Sequence, residues 1–242
     1  MEGRYLLISD VDGTLLGDDD ALRTFSRWYA ERDDLTLVYN SGRLFDSVVE
    51  SVRDTLLPEP AAIIGGVGTQ VCSYDTGKTI GDWLANHDGW NSNIVHAVLS
   101  QHDDVELQPD EFLSPHKISY FAREASAEFL ASLKQQLAAA GCSAELVYSS
   151  RRDLDVLPAG IDKGTAAAFL AEHLGYSPRH VIVSGDSGND LRMFQHGFRG
   201  VVVANAHAEL KQLDGANVFQ AESGFAAGVL QGLEHWMSMT VA

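Results

Sequence analysis

The sequence predicts an α/β protein, built as a doubly wound (Rossmann-like) parallel sheet core with an inserted α+β cap. Short apolar segments of strand length alternate with amphipathic helical segments at both ends of the chain, which is the pattern of a parallel sheet covered by helices. Polar, chemistry-bearing residues directly follow several of these strands. The alternation is interrupted between about residue 79 and residue 160, which indicates an insertion into one core.

The composition is that of an ordinary globular protein. The chain has 242 residues, 45% of them hydrophobic, and a net charge of −17 from 17 basic and 34 acidic residues. No basic run is present, so we expect no nucleic-acid partner and no membrane partner. The first residues lead straight into the first strand, so we expect no signal peptide, and no apolar run approaches the roughly 20 residues that span a bilayer. We therefore expect a cytoplasmic location, and a monomer or weak oligomer.

The interrupted region predicts a small α+β unit. It contains a helix around Trp90, a strand over residues 116–121, a helix over 129–137, and two strands near 145–148 and 154–157. This order differs from the regular strand and helix alternation of the flanking parts. We therefore divide the chain into a core of residues 1–80 and 161–242 and a cap of residues 81–160.

The first strand leads into two carboxylates. Residues 6–9 are followed by Asp10 and Asp12, with Gly13 next. Alternate residues of a strand share one side, so both carboxylates should emerge together, and Gly13 lets the chain turn away. Neighbouring carboxylates repel each other and need a cation or a proton to coexist. A surface turn rich in Asp and Gly has the same local pattern. The acidic run at residues 18–20 is predicted to cap the next helix.

The second strand, residues 35–39, leads into a polar segment before an amphipathic helix. This segment contains Ser41, Gly42 and Arg43, which are candidate substrate-binding residues. A hydroxyl, a glycine amide and a helix N-terminus can together hold an anion. A serine that only caps the helix would give the same pattern.

Two more polar segments lie where the core pattern resumes. Lys163 opens a helix directly after the insertion, and the apolar strand at residues 181–184 leads into a loop with Asp186, Asn189 and Asp190. Apolar segments at residues 201–203 and 225–236 complete the core. In a doubly wound sheet the loops that follow the strands share one edge, so these segments should meet there.

Together these residues predict phosphoryl transfer. Asp10 would attack phosphorus to form an aspartyl-phosphate, and Asp12 would protonate the leaving alcohol and then activate water. A hard divalent cation, Mg²⁺, would lie between Asp10, the Asp12 backbone carbonyl and Asp186. Asn189 and Asp190 would hold the loop or a metal-bound water, and Asn189 is a further candidate substrate-binding residue. The candidate metal ligands are therefore Asp10, Asp12, Asp186 and Asp190.

Ser41, the Gly42 amide and Lys163 would neutralise the remaining phosphate charge. The candidate catalytic residues are therefore Asp10, Asp12 and Lys163. A receiver domain is the alternative, since this signalling module also holds an aspartyl-phosphate with an acidic pocket, a hydroxyl and a lysine. Asp12 and the large insertion favour an enzyme, because Asp12 would let the phosphorylated protein hydrolyse quickly. A cysteine phosphatase is excluded, because no Arg stands six residues after either cysteine.

The motifs carry a resemblance. Residues 10–14 (DVDGT), Ser41, Lys163 and residues 185–190 (GDSGND) resemble, in order, the four motifs of the haloacid dehalogenase superfamily. The resemblance implies a phosphatase or phosphomutase, because the dehalogenases of that superfamily lack the residue that corresponds to Asp12. The insertion of about 80 residues resembles the α+β cap of its sugar-phosphate phosphatases.

A narrower resemblance covers nearly the whole chain. Residues 116–120 (HKISY), 153–158 (DLDVLP) and 163–164 (KG) are similar to the sucrose-phosphate phosphatase family, which hydrolyses sucrose 6-phosphate with Mg²⁺. The resemblance implies that Lys117, Asp153 and Asp155 of the cap bind the sugar while the core holds the phosphate. Plant members of the family have an extra C-terminal domain, and without it we expect this sequence to resemble the short bacterial form. The synthase that makes the substrate is a candidate partner.

Arg151 and Arg152 stand where this family often has small residues. The sequence therefore leaves the outer part of the sugar site open. Sucrose 6-phosphate is the expected substrate, and mannosylfructose phosphate or another sugar phosphate is the alternative.

Overall fold

The computed structural model describes residues 5–84 and 87–239, which form two separate sheets. In chain order the strands are β1 (Tyr5–Ser9), β2 (Leu35–Asn40), β3 (Ala62–Gly65), β4 (Gln70–Ser73), β5 (Glu106–Leu107), β6 (Ile118–Phe121), β7 (Ala144–Ser149), β8 (Asp153–Pro158), β9 (Val181–Gly185), β10 (Arg199–Val202) and β11 (Val218–Gln220). The α-helices are α1 (Asp19–Ala30), α2 (Phe45–Asp54), α3 (Ser92–Leu99), α4 (Ala127–Ala139), α5 (Lys163–His173), α6 (Ala208–Lys211) and α7 (Phe225–Ser238).

The larger sheet has the strand order β11-β10-β9-β1-β2-β3-β4. Neighbouring strands run parallel except β3 and β4, which are antiparallel. Strand β1 lies at the centre between β2 and β9. Strands β2, β3 and β4 follow on one side of it, and β9, β10 and β11 follow on the other. The predicted doubly wound sheet is confirmed, and ligands are expected at the carboxyl ends of these three central strands.

Side chains of β1 show why this sheet needs helices on both faces. Leu6 and Ile8 pack into the hydrophobic cluster that includes α5, whereas Leu7 packs into the cluster that includes α1, α2 and α7. The side chains of Leu6, Leu7 and Ile8 are fully buried. Successive side chains of a strand point to opposite faces, so an uninterrupted apolar strand is stable only between two helical layers.

Helix α1 begins where the acidic run at residues 18–20 predicts. The Asp18 carboxylate accepts hydrogen bonds from the amides of Asp20 (3.1 Å) and Ala21 (3.0 Å). Asp19 and Asp20 lie in the first turn, where negative charge stabilises the helix. The predicted cap is therefore confirmed.

The smaller sheet is antiparallel, with the order β5-β6-β8-β7. One face packs on α3 and α4 through side chains that include Ile118, Tyr120, Leu154 and Val156. The opposite face carries the alternate residues of β6 and β8, and it faces the carboxyl ends of the larger sheet. The elements predicted here are present, with β5 as an addition. Strand β5 has only two residues, both exposed, so no apolar pattern marks it in the sequence.

The boundaries between core and cap stay a prediction. Trp83 lies in the segment assigned to the cap, yet its indole donates a hydrogen bond to the carbonyl of Gly68 (2.8 Å) and packs on Phe169 of α5. The returning chain reaches the core at Asp162, whose carboxylate caps α5 by accepting from the Thr165 amide (2.8 Å). Within the two described ranges, no helix combines the length and the apolar character needed to cross a bilayer.

Candidate active site

Lys163 lies at the centre of the polar groups that the core brings together. It is the first residue of α5 and is completely buried. Its Nζ atom lies 2.7 Å from Oδ1 of Asp10 and 2.6 Å from Oδ1 of Asp190. Burial favours the neutral amine, but the two carboxylates outweigh it and raise the pKa of Lys163 above its usual value. The charged lysine therefore joins the loops that follow β1 and β9.

Three buried carboxylates form an acidic cluster. Asp10, Asp186 and Asp190 each place one oxygen within 4.8 Å of the others. Burial, together with the nearby Asp10 and Asp190, raises the pKa of Asp186 to about 8. Burial also raises the pKa of Asp190 to about 6, although Lys163 opposes this rise. The cluster thus carries more negative charge than Lys163 alone can compensate.

One atom of the cluster is left without a partner. Oδ2 of Asp10 is buried and accepts no hydrogen bond from any residue that the structure describes. A buried polar atom without a partner is unfavourable, and hard carboxylate oxygens are the ligands that Mg²⁺ and Ca²⁺ prefer. The donor set therefore fits a divalent cation.

Asp190 differs from the other members of the cluster. Its Oδ2 accepts hydrogen bonds from the amides of Asp186 (3.0 Å) and Ser187 (3.1 Å), and its Oδ1 accepts from Lys163. Both oxygens already have protein donors. These contacts match the predicted role of holding the loop better than a role as a direct metal ligand.

Asp12 lies outside the acidic cluster. Its side chain is 57% exposed, and its Oδ2 lies 2.8 Å from Nε of Arg43. Partial burial raises the pKa of Asp12, Arg43 lowers it, and Asp10 raises it again. The structure therefore brings three of the four predicted metal ligands together by their carboxylates, and pairs the fourth carboxylate with an arginine.

Gly13 makes the close approach of two loops possible. Its φ angle is +81°, and a Cβ atom at this position would lie only 2.5 Å from Oδ2 of Asp186. The predicted turn after Asp12 is confirmed. Glycine is required at position 13 for two reasons: the backbone has a positive φ angle, and a side chain would collide with the Asp186 carboxylate.

We expect Gly13→Ala to raise the Mg²⁺ concentration needed for half-maximal activity by about tenfold or more, because the new methyl group must displace Asp186. Gly141→Ala is the matched control, since Gly141 has a φ of +84° but a methyl group added there would meet no atom within 4 Å. The measurement is a Mg²⁺ titration of phosphate release for both variants. Equal Mg²⁺ requirements in the two variants would contradict the expected displacement of Asp186.

Ser41 follows β2 as predicted, but its surroundings differ from the predicted anion cradle. The residue is fully buried, and its hydroxyl oxygen accepts a hydrogen bond from the amide of Arg43 (3.1 Å). Helix α2 begins only at Phe45, and the Phe45 amide donates to Oε1 of Gln70 (2.8 Å). The first amide of α2 is therefore taken by Gln70, and the contribution of the helix N-terminus to an anion site stays a prediction. The alternative of Ser41 as the helix cap is wrong, because the cap residue is Leu44.

A cavity of about 400 Å³ lies between the acidic cluster and the smaller sheet. The predicted residues that line it from the core are Asp10, Asp12, Gly42, Arg43, Asp186 and Asn189. The predicted residues that line it from the cap are Lys117, Asp153 and Asp155. Ser41, Lys163 and Asp190 are fully buried beside this cavity. One cavity thus joins most of the predicted phosphate-side and sugar-side residues.

Several residues of the cavity wall were not predicted from the sequence. These are Gln108, Phe112, Phe121, Ser149, Ser150 and Ser187. Most of them belong to loops or strand ends of the cap, where no periodic pattern marks a functional side chain. Proximity in sequence to Lys117 or Asp153 could have indicated several of the cap residues, and Ser187 lies in the same loop as the predicted Asp186 and Asn189.

Lys117 makes three polar contacts inside the cap. It is 3% exposed, and its Nζ donates to the carbonyl of Phe112 (2.9 Å) and to the hydroxyl of Ser119 (2.5 Å). Nζ also lies 3.0 Å from Oδ1 of Asp155. An ammonium group has three donors, and these three acceptors match them. Lys117 therefore fixes the loop that carries Phe112 into the cavity wall.

Two asparagines that were not predicted as site residues position the catalytic loops. Nδ2 of Asn40 donates to the carbonyl of Lys163 (2.9 Å), which ties β2 to the start of α5. Nδ2 of Asn205 donates to the carbonyl of Gly13 (2.7 Å), and its Oδ1 accepts from the amide of Phe225 (2.8 Å). The position of Asn40 at the end of a predicted strand was its only sequence signal.

Comparison with known proteins assigns the family. Residues 3–237 match the sequence pattern of sucrose-6F-phosphate phosphohydrolase. The chain belongs to this family. It is 39% identical over 243 residues to the mannosylfructose-phosphate phosphatase of Agrobacterium fabrum, and the match covers 98% of each chain. It is 32% identical to sucrose-phosphatase 1 of Nicotiana tabacum, where the match covers 96% of this chain but only 59% of the plant protein.

A solved structure agrees with this assignment. The sucrose-phosphatase of Synechocystis sp. PCC6803, determined in complex with sucrose and phosphate, superposes with a TM-score of 0.89 at 30% identity. The superposition covers 96% of this chain and 98% of the other. The chain is therefore a phosphatase of the haloacid dehalogenase superfamily, with sucrose 6-phosphate or a related sugar phosphate as its substrate. The receiver-domain alternative is wrong.

Proposed function

We propose that this phosphatase hydrolyses a disaccharide phosphate, with sucrose 6-phosphate as the first candidate, through an aspartyl-phosphate on Asp10 and with Mg²⁺ as cofactor. The observation that carries the proposal is the cavity shared by the acidic cluster and the polar face of the smaller sheet. The phosphate would lie against the core, and the sugar would lie against the cap. Phosphatases of this superfamily generally use a divalent metal.

The contacts of Asp10 support its role as the nucleophile. Lys163 holds Oδ1 at 2.7 Å, whereas Oδ2 has no hydrogen-bond partner among the described residues. In the first step a bond forms between one carboxylate oxygen of Asp10 and phosphorus, and the bond from phosphorus to the sugar oxygen breaks. In the second step water attacks phosphorus and releases inorganic phosphate, which restores the Asp10 carboxylate. Lys163 keeps the reacting carboxylate oriented during both steps.

Asp12 would move the proton in both steps. Partial burial raises the pKa of this carboxyl, which favours the protonated form that the first step requires. Its proton passes to the leaving sugar oxygen, and in the second step the carboxylate takes a proton from the attacking water. Arg43, 2.8 Å away, would hold Asp12 over the cavity and stabilise its charged form between the two steps.

Asp10, Asp186 and the backbone carbonyl of Asp12 would hold the Mg²⁺, with Asp190 holding the loop. The cation would supply positive charge that the acidic cluster lacks and that a phosphate dianion requires. Without a cation, like charges would keep the phosphate out of the cluster. Gly42 and Asn189, which line the cavity beside Arg43, would contact the remaining phosphate oxygens.

The test is a screen of phosphate release with and without excess chelator. We expect kcat/KM to be highest for sucrose 6-phosphate or mannosylfructose phosphate, above trehalose 6-phosphate and the hexose monophosphates. Contacts with the second sugar would orient the reacting group. Chelator should abolish the activity, and added Mg²⁺ should restore it. Full activity in chelator would remove Mg²⁺ from the proposal, and a preference for hexose monophosphates would remove the disaccharide.

Mannosylfructose phosphate is the second candidate substrate. The Agrobacterium fabrum phosphatase named for it matches this chain over 98% of both lengths at 39% identity. The same screen separates the two disaccharide phosphates. Association with the synthase that makes the substrate, a cytoplasmic location and a monomeric or weakly oligomeric state stay predictions from the sequence.

A further inference from the structure

The consecutive cap residues Arg151 and Arg152 have side chains in different surroundings. Arg151 and Ser150 form the turn between β7 and β8, and both have positive φ angles, of 52° and 54°. The Arg151 guanidinium pairs with Glu124 at the surface, and its side chain is 78% exposed. Arg152 instead lines the cavity that contains Asp10. Of the two arginines at this turn, Arg152 therefore lines the cavity and Arg151 does not.

Arg152 is held in one orientation by its neighbour in the chain. Its Nε lies 3.1 Å and 3.2 Å from the two carboxylate oxygens of Asp153, and its Nη2 lies 2.9 Å from Oδ2. The same carboxylate accepts a hydrogen bond from Nε2 of Gln108 (3.0 Å), which is itself buried. Asp153 is therefore fixed from two sides, and Nη1 of Arg152 makes no hydrogen bond with any residue that the structure describes.

An aromatic ring lies beside this pair. The guanidinium carbon of Arg152 is 5.5 Å from the ring centroid of Phe121, which also lines the cavity. Phe121 lies opposite Asp153 in the pairing of β6 with β8. The arginine, the carboxylate and the ring thus form one continuous part of the cavity wall.

The charges of this wall disfavour a phosphate group. Arg152 is neutralised by Asp153, and Lys117 is neutralised by Asp155. A phosphate oxygen only accepts hydrogen bonds at neutral pH, and two carboxylates would repel it. A sugar hydroxyl both donates and accepts, so it can donate to a carboxylate and accept from a guanidinium at once. The apolar C–H face of a sugar ring can also pack on an aromatic ring.

We propose that Arg152 is a specificity-determining residue, which together with Asp153 and Phe121 binds neighbouring hydroxyls and the apolar face of the sugar part of the substrate. This inference rests on the proposed function and extends it to a residue outside the catalytic motifs. Arg152 contributes to discrimination between sugar phosphates, and not to the handling of the phosphate.

The experiment compares Arg152→Ala and Arg152→Lys with the matched control Arg151→Ala. Each purified variant is assayed with sucrose 6-phosphate, mannosylfructose phosphate and 4-nitrophenyl phosphate, and its thermal midpoint is recorded. With the better disaccharide phosphate, we expect Arg152→Ala to lose about tenfold more kcat/KM than it loses with 4-nitrophenyl phosphate. The lysine variant should show most of this loss, because an ammonium cannot keep the bidentate contact with Asp153. Arg151→Ala should retain wild-type kcat/KM on all three substrates.

Equal losses of Arg152→Ala on the disaccharide phosphate and on 4-nitrophenyl phosphate would assign Arg152 to the phosphate and overturn the inference. Wild-type kinetics of Arg152→Ala on every substrate would overturn it as well. In both cases the wild-type enzyme would still hydrolyse a disaccharide phosphate, so the proposed function would stand. If the wild-type enzyme hydrolyses 4-nitrophenyl phosphate but neither disaccharide phosphate, the proposed function fails, and the inference fails with it.

Discussion

Asp10→Asn is expected to reduce turnover by at least about 10⁴-fold while the substrate still binds. The amide has nearly the shape of the carboxylate, so Lys163 can still donate to its oxygen. The amide cannot act as a nucleophile toward phosphorus. Removal of one negative charge from the acidic cluster should also leave the metal-free protein at least as stable as the wild type, because Asp10 raises the pKa of Asp186.

The measurement for Asp10→Asn combines phosphate release with calorimetric binding of sucrose 6-phosphate. Asp18→Asn is a suitable control, because Asp18 follows the same loop, caps α1, and can be replaced by asparagine, which caps helices equally well. That variant should keep wild-type turnover. Retention of more than about one percent of turnover by pure Asp10→Asn would place the nucleophile at another residue.

Lys163→Met is expected to reduce both activity and stability. The side chain is completely buried between Asp10 and Asp190, so its removal leaves two buried carboxylates without their counter-charge. Loss of one partner from a buried ion pair costs about 3–5 kcal/mol of unfolding free energy. Activity should fall by about 10²- to 10³-fold or more, because the reacting carboxylate loses the group that orients it.

Urea denaturation in chelator, repeated with Mg²⁺, measures this effect. A divalent cation in the acidic cluster would replace part of the missing positive charge, so Mg²⁺ should stabilise Lys163→Met by more than it stabilises the wild type. Lys78→Met is the control, since Lys78 is exposed, and its unfolding free energy should stay within about 0.5 kcal/mol of wild type. An unchanged urea midpoint of Lys163→Met in chelator would show that the buried ion pairs contribute nothing to stability.

The parts of the fold that were predicted correctly have strong local signals. Strands β1, β2 and β9 are short apolar runs, each followed by glycine or polar residues, and they lie within one or two residues of their predicted bounds. Strands β5 and β11, which were not predicted, have two and three residues and no buried side chain. Such short pairings depend on the neighbouring strand, and hydrophobic periodicity does not detect them.

The sequence predicted the positions of some site residues correctly and the surroundings of others only in part. Asp10, Asp12 and Gly13 follow from one strand and one turn, and the structure puts them where the pattern indicates. The predicted contribution of the α2 N-terminus to an anion site at Ser41 stays a prediction, because three residues separate Ser41 from α2 and the distant Gln70 accepts a hydrogen bond from the first helix amide. The hydrogen bond from the Phe45 amide to Gln70, 25 positions away, cannot be predicted from the residues around Phe45.

By itself, the sequence determined the kind of chemistry and the class of fold. Carboxylates after a buried strand, a lysine at a helix start and a second acidic loop are local features, and local features follow from the backbone preferences of a few adjacent residues. The tertiary structure alone decided which groups meet. Lys163 contacts Asp10 across 153 residues, and Arg152 rather than Arg151 reaches the cavity. Such contacts arise from the packing of whole sheets and helices, which brings together side chains whose separation along the chain carries no signal.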